Sequence, residues 1–450
     1  MSGKLSSVKV ALATLGCKVN QLETEAFAEA FKTAGFRTLP GNSGEADLFV
    51  INTCTVTSKA EQRARRIIRF VLNSGSCLIV TGCYAQVDSP RLRALDPSGK
   101  KLFVLPGDRK SGLLDLPGFL AGELPGSALA EVLARWFGEF SEPPGAGAFR
   151  FKPEHFSFHS RAFLKIQDGC DNRCAYCRVP LARGPSVSLG AAQVLTALRD
   201  LEARGQGEAV LTGVHIGHYR DGDLDLAGLV GYLLAETREI RLRLSSLDPE
   251  SFSSLPLGNP RIRPHFHLSV QSGSDSVLAR MGRGYRAPQI REAVQFARSL
   301  KEDPFVACDI IAGFPGERAE DFEATYRLCR DLDFAGIHGF PYSPRPGTPA
   351  YTFKPPVNER EAGFRVARLI TLGTENRRRY AQRCLGRVVE SLTEESSALP
   401  AGQVPAISEN YLKLLLRTGA VPPKPGTALR VRLISEAPEG SGFDAWAEPE

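Results

Sequence analysis

Three cysteines stand in the run Cys170-Asp171-Asn172-Arg173-Cys174-Ala175-Tyr176-Cys177. That spacing lets three thiolates converge on one small metal centre, and soft thiolates select iron–sulfur clusters or zinc. A cubane 4Fe–4S cluster ordinarily takes four cysteines. No further Cys or His follows within the next turn, so one iron would stay open to another ligand. A zinc knuckle would need a fourth ligand, usually in a second close pair. Three buried free thiols would need no partner at all. Of these readings, the iron–sulfur one uses the whole pattern.

A second set is hidden from a linear scan. Val8–Leu15, Asp47–Ile51, Cys77–Val80 and Lys101–Leu105 read as buried strands, with helical patterns between them over Gln21–Ala34 and along a basic stretch containing Lys59, Arg63, Arg65, Arg66 and Arg69. Alternating strands and helices build a parallel open sheet. The right-handed crossover rule puts all its strand carboxyl ends on one edge, where ligands bind. Cys17, Cys54 and Cys83 each follow a strand end and stand beside Gly or Thr. Three buried packing cysteines are the plain alternative; the recurrence at strand ends favours a second three-cysteine cluster. Cys77, Cys308, Cys329 and Cys384 lie within strands or helices and read as packing residues.

These sets must be held by sizeable folded units, and the chain supplies them. It has 450 residues, 42% hydrophobic and 24% charged, with a net charge of +6. That is an ordinary globular composition of about three domains, and the mild charge permits a nucleic-acid partner without requiring one. The first residues carry no signal-peptide core, and no apolar run reaches the ~18 residues of a membrane span. Ten cysteines without an export signal place the chain in the reducing cytoplasm, away from membranes.

A stretch rich in Gly, Pro and Ala, 117–153, centres on Pro143-Pro144-Gly145-Ala146-Gly147 and closes the first domain, 1–150. In the second, 151–380, a strand at Arg161–Gln167 feeds the cysteine motif. Strands at Ala209–Thr212, Arg241–Leu244, His265–Val270, Val306–Ile311 and Gly336–Gly339 follow with helices between them. About six such units form a partial or complete parallel barrel, whose chemistry sits on the carboxyl-end loops. Residues 360–387 form a helix carrying eight arginines, either a solvated face or a phosphate-contacting edge. In 381–450 short strands at Arg387–Leu392, Tyr411–Arg417 and Leu429–Ile434 make a small all-β barrel. With seven Lys/Arg against nine Asp/Glu, it is a poor nucleic-acid binder by charge.

Together these residues resemble a known family. Gly16-Cys17-Lys18-Val19-Asn20-Gln21-Leu22-Glu23-Thr24-Glu25, Asn52-Thr53-Cys54-Thr55-Val56-Thr57 and Thr81-Gly82-Cys83-Tyr84-Ala85-Gln86 are similar to the N-terminal blocks of the methylthiotransferases. Gly169–Gly184, with Pro180, Arg183 and Gly184, resembles the motif of the radical S-adenosylmethionine superfamily; Tyr342-Ser343-Pro344-Arg345-Pro346-Gly347-Thr348 resembles the block near the family's barrel end. The resemblance implies an N-terminal open parallel α/β domain, a partial (β/α)6 radical barrel and a TRAM-like β domain. It implies that Cys170, Cys174 and Cys177 hold the 4Fe–4S cluster that cleaves S-adenosylmethionine, and Cys17, Cys54 and Cys83 a second cluster bearing the sulfur to be donated. Tyr176, Gly213, Ser245, Gln271 and Gly313, on the motif and the carboxyl-end loops, are placed to contact the methionine or nucleoside part. Lys18-Val19-Asn20 and the Thr-Val-Thr after Cys54 resemble the branch acting on threonylcarbamoyladenosine next to the tRNA anticodon. The implied reaction replaces adenine C2–H by a methylthio group and needs a low-potential electron donor such as flavodoxin or ferredoxin.

Other readings compete. Isopentenyladenosine tRNA or a ribosomal protein is the substrate of sister branches. A cobalamin-dependent methyltransferase also joins an α/β domain to a radical barrel, but its Asp-x-His-x-x-Gly loop is missing, and no histidine precedes His155. A non-catalytic iron–sulfur sensor or RNA-binding protein would gain little from an open iron. His215, His218 and His267 read as structural, since hydrogen abstraction by a radical needs no acid or base.

Overall fold

The computed structural model describes residues 7–124, 127–141, 143, 145, 147–395, 399–400, 402–419 and 421–450. Residues 1–6, and Pro144 and Ala146 of the expected linker, lie outside the described residues.

The N-terminal sheet has strands β1 (Lys9–Thr14), β2 (Arg37–Pro40), β3 (Leu48–Thr53), β4 (Cys77–Gly82) and β5 (Leu102–Val104). All are parallel, in the order β2-β1-β3-β4-β5. β3 and β4 are buried along their whole length, as a sheet covered on both faces requires. One face is covered by α1 (Lys18–Thr33), α3 (Leu116–Glu123) and α4 (Leu129–Glu139), around Phe27, Phe31 and Trp136; the other by α2 (Ser58–Ser74), around Ala64, Ile68 and Val71. The strand order reverses between β1 and β3, so the crevice of a doubly wound sheet opens there. β2 is a fifth strand, absent from the sequence reading, and α1 begins at Lys18, three residues earlier than expected.

Six parallel strands follow: β6 (Ala162–Lys165), β7 (Glu208–Thr212), β8 (Arg241–Leu244), β9 (His265–Gln271), β10 (Phe305–Ala312) and β11 (Gly336–Pro341). They form two hydrogen-bonded trios, β8-β7-β6 and β9-β10-β11, joined through the bridges Leu242–Ile262 and Leu247–Leu268. Helices α5 (Ala191–Ala203), α6 (Leu226–Glu236), α7 (Asp275–Met281), α8 (Ala287–Leu300), α9 (Ala319–Asp331) and α10 (Glu359–Cys384) accompany them. The main core packs alternate strand residues such as Val306, Cys308 and Ile310 against these helices. This is the expected partial (β/α)6 barrel.

The C-terminal unit is a closed barrel of β12 (Val388–Thr393), β13 (Gln403–Ser408), β14 (Lys413–Arg417), β15 (Ala428–Glu436) and β16 (Ala445–Pro449). It has five strands, where the sequence reading named three. It abuts the amino-terminal end of the central barrel: Tyr411 stacks on His265 with ring centroids 4.0 Å apart, and Glu390 takes Arg241 and Arg263 at 2.6 and 2.7 Å.

The arginines of α10 are mostly ion-paired. Arg365 pairs with Glu317 at 2.5 Å, Arg368 with Glu323, Arg377 with Asp444, Arg378 with Glu436, Arg379 with Asp333, and Arg383 with Asp303 and Asp333. The helix is largely ion-paired to the central and C-terminal units, with Arg378 and Arg379 still half or more exposed. No helix among the described residues is long and apolar enough to cross a membrane.

Candidate active site

Each thiol of the N-terminal set is placed by a local feature. Gly16 turns the chain at φ +117°, and a Cβ there would stand 2.8 Å from Cys54 Cβ, so the close approach of these segments requires glycine. Cys17 then caps α1, Cys54 follows β3, and Cys83 opens a one-turn helix directly after β4. Cys17 and Cys54 flank the crevice, and the three thiols are electrostatic neighbours of one another. Burial pushes the Cys54 thiol up to about 12, although the Val56 N–H lies 3.4 Å from its sulfur.

The second set sits at the carboxyl end of β6. The loop is tied down by Cys170 N–H donating to the Gly184 carbonyl at 3.1 Å, Ala175 N–H to Met281 at 2.9 Å, and Ala350 N–H to Ala175 at 2.8 Å. Cys170, Cys174 and Cys177 are again mutual electrostatic neighbours, and burial pushes Cys177 up to about 12. Val179 N–H lies 3.4 Å from Cys177 Sγ, repeating the Val56–Cys54 arrangement.

The two sets meet across a buried polar seam. Arg178, next to Cys177, donates to Glu61 at 3.1 Å and to Thr55, next to Cys54, at 3.2 Å. Arg183 donates to Asn20 at 2.6 Å, Glu23 at 3.1 Å and Asp168 at 3.0 Å, and its charge is felt at both Cys17 and Cys83. Lys110 reaches Glu23 at 2.6 Å. Burial alone would raise Glu23; Arg183, Lys110 and Lys165 overcome it and hold the carboxyl at about 2. Arg345 adds an ion pair to Glu61, and Ser343 bonds Ser58 at 2.8 Å. The motif over 342–348 is therefore a clasp between units.

Both sets fit a multi-iron cluster better than a single zinc ion. Tetrahedral zinc with ~2.3 Å bonds needs sulfurs about 3.8 Å apart. Among the described residues, the three-ligand group gathered within 4.8 Å is His267, Asp309 and His338, not either cysteine set. The backbone N–H groups at Cys54 and Cys177 are of the kind that stabilise cluster thiolates.

Comparison with known proteins agrees with this arrangement. Residues 9–103 match the family described as Uncharacterized protein family UPF0004, and residues 164–329 the Radical SAM superfamily. A threonylcarbamoyladenosine tRNA methylthiotransferase of Treponema pallidum is 40% identical over 95% of this chain and 98% of its own length. Its counterpart from Thermotoga maritima is 34% identical over 86% of each. The chain belongs to the radical S-adenosylmethionine methylthiotransferases. The tRNA-2-methylthio-N(6)-dimethylallyladenosine synthase of Cereibacter sphaeroides is 31% identical over 96% of this chain and 97% of its own.

The structure of this methylthiotransferase also brings to Cys174 residues that its linear motifs do not reveal. Arg283 Nη1 donates to Cys174 Sγ at 3.2 Å, Nε donates to Tyr285 at 2.8 Å, and Nη2 pairs with Asp248. Asp248 in turn holds His215 Nε2 at 2.7 Å. A polar cavity of about 370 Å³ opens here, lined by Asn172, His215, Asp248 and Arg283 among others. The run Met281-Gly282-Arg283-Gly284-Tyr285 was the available signal, but 109 residues separate Arg283 from Cys174.

The loop residues singled out by sequence divide. Tyr176 packs with Val277, Met281 and Phe314 beside the cluster motif. Ser245 is buried just after β8, and Gln271 ends β9 at a register shift with φ +64°. Such a left-handed non-glycine residue costs of order 1–3 kcal/mol and gathers at ligand sites. A Cβ on Gly213 would meet the Gln167 carbonyl oxygen at 2.8 Å. Gly313 faces Ala362 on α10 and donates its N–H to Glu317, so packing against the outer helix accounts for it.

Proposed function

We propose that the chain converts threonylcarbamoyladenosine next to the tRNA anticodon to its 2-methylthio derivative, acting in the cytoplasm with two 4Fe–4S clusters and S-adenosylmethionine. The observation that carries this is the bridging of the two cysteine sets by Arg178 and Arg183. One modification at one adenine carbon needs hydrogen removal and sulfur delivery at a shared place. When bound, the clusters supply the electron that cleaves S-adenosylmethionine and the sulfur that ends on adenine C2; an unactivated C–H bond is beyond acid–base chemistry.

The chain's own residues hold and shield that chemistry. Cys170, Cys174 and Cys177 ligate one cluster, and Arg283 places its guanidinium against the Cys174 sulfur, opposing the negative charge of the thiolate. Cys17, Cys54 and Cys83 ligate the other, with Arg183 in the same role. Tyr176, Ser245 and Gln271 contact S-adenosylmethionine at the barrel mouth. The buried seam from Glu23 to Arg345 walls off one side of the mouth, limiting the access of water to a reactive radical. Units 1–150, 151–380 and 381–450 carry the sulfur cluster, the radical chemistry and a closing β barrel. The electron comes from a low-potential donor such as flavodoxin or ferredoxin.

The test is mass spectrometry of nucleosides and ribosomal proteins from a deletion strain. Loss of 2-methylthio-threonylcarbamoyladenosine alone is expected. Loss of the isopentenyl derivative, or of a modified ribosomal protein, would assign the chain to a sister branch.

A further inference from the structure

The interior of the central barrel holds a polar group that neither cysteine set uses. Outer-face residues of β9 to β11, such as Phe266, Cys308 and Ile337, pack on the helices. Strand alternation therefore turns His265 and His267, Asp309, and His338 and Phe340 into the lumen. Asp309 and His338 are direct cross-strand partners. His267 Nε2 lies 2.9 Å from Asp309 and His338 Nδ1 3.8 Å from it. Asp309 and His338 keep 26% and 52% of their side-chain exposure, so this face is open to an entering group.

Above it stands a cation without a partner. Lys18, next to Cys17, is half-buried and has no ion pair or hydrogen bond from its ammonium among the described residues. Its charged neighbours are Tyr411, Arg161, Arg243 and Asp309. Glu208 is already engaged by Arg243 and Arg263, and Arg161 has Glu394 at 3.8 Å. Two buried polar atoms in the same lumen, Arg243 Nη1 and His265 Nδ1, have no hydrogen-bond partner. Native interiors leave few such atoms. The surplus is positive: burial alone would raise the Tyr411 hydroxyl, yet Arg161, Lys18 and Arg243 bring it below its ordinary value. His267, Asp309 and His338 are a two-histidine, one-carboxylate set of the type that binds divalent metals. The cations beside them disfavour a dication, whereas an anion with acceptor oxygens answers both the charge and the orphaned atoms.

We propose that the lumen receives the side chain borne on N6 of the target adenine, with Lys18 taking its carboxylate and the His267–Asp309–His338 face its hydroxyl. This rests on the threonylcarbamoyl reading of the substrate, whose threonyl group carries both functions. Phe340 lies two residues nearer the cluster rim on the same face of β11 and is 42% exposed, a flat surface for the base. An isopentenyl tail would leave Lys18 and the orphaned atoms unanswered, and a site built for hydrogen bonding rejects an analogue lacking the group.

The experiment uses the two-cluster enzyme and two synthetic anticodon stem-loops, one with the N6-threonylcarbamoyl carboxylate and one with the matching carboxamide. Wild type should favour the carboxylate in kcat/KM by about a hundredfold, as loss of a charged hydrogen bond implies. Lys18→Met should bring the ratio to near unity, and Lys18→Arg should restore most of it, iron content serving as the check on cluster loading. Equal conversion of both stem-loops by wild type would overturn the inference while leaving the proposed substrate standing, and this comparison needs no variant. Retention of the ratio by iron-replete Lys18→Met would also overturn it. Conversion of an isopentenyl stem-loop and neither of these would remove the proposed substrate and the inference together.

Discussion

Cys54 and Cys177 share a local device: the backbone N–H two residues on lies 3.4 Å from the sulfur. Burial outweighs it and pushes both thiols up to about 12. In cluster-free protein these cysteines are neutral near pH 8, and metal must displace their protons. Their alkylation by iodoacetamide should rise about tenfold per pH unit from pH 7 to 10 without a plateau; a plateau near pH 8.5, followed by peptide mass spectrometry, would show an ordinary exposed thiol. Glu23 is the opposite case, a carboxylate held at about 2 against an ordinary 4.5. Its contribution is complete above pH 4.5 and is lost as pH falls toward 2. Glu23→Gln strands Lys110 and leaves Arg183 and Lys165 with Asp168 alone as carboxylate partner, so we expect a loss of about 3 kcal/mol near neutrality in denaturant unfolding. The gap from wild type should narrow between pH 5 and 3; a gap independent of pH would mean Glu23 is not ionised in the fold.

Among the elements, α2 and α10 look alike in sequence and differ in structure. On α10 most arginines have carboxylate partners on other elements. On α2, Arg65 is tied to Tyr84 at 2.7 Å, but Lys59, Arg63, Arg66 and Arg69 are exposed, beside Phe70 at 64% exposure. Affinity for tRNA should follow α2. Reversing Arg63, Arg66 and Arg69 to Glu should weaken binding and lower the slope of log K against log salt by about two to three, whereas Arg378→Glu should leave both unchanged. The reverse pattern in filter binding would put the RNA on α10. Continuous apolar runs made β1, β3 and β4 legible, and their carboxyl ends located Cys17, Cys54 and Cys83. β2 was not legible because Arg37–Pro40 is a short, half-exposed edge strand closed by proline. β13 contains Pro405 and β16 is a five-residue terminal strand, so both lack the usual signature. Arg283 and Arg345 act on residues 109 and 284 positions away, a relation that only the folded chain creates.

At the scale of the molecule, the C-terminal barrel closes the lumen from below through Tyr411 and Glu390, so its deletion would open the central barrel as well as remove a domain. Point variants that spare this plug are the cleaner probes. Two open-iron clusters call for roughly eight irons per chain, falling to about four in Cys54→Ala. The decisive measurement follows 5′-deoxyadenosine and the 2-methylthio nucleoside together by mass spectrometry. The anaerobic reaction contains S-adenosylmethionine, a reductant and tRNA bearing threonylcarbamoyladenosine. Wild type should form both products, Cys174→Ala neither, and Cys54→Ala 5′-deoxyadenosine without the methylthio nucleoside. Full methylthio product from Cys54→Ala would contradict a sulfur-delivering cluster on the N-terminal cysteines.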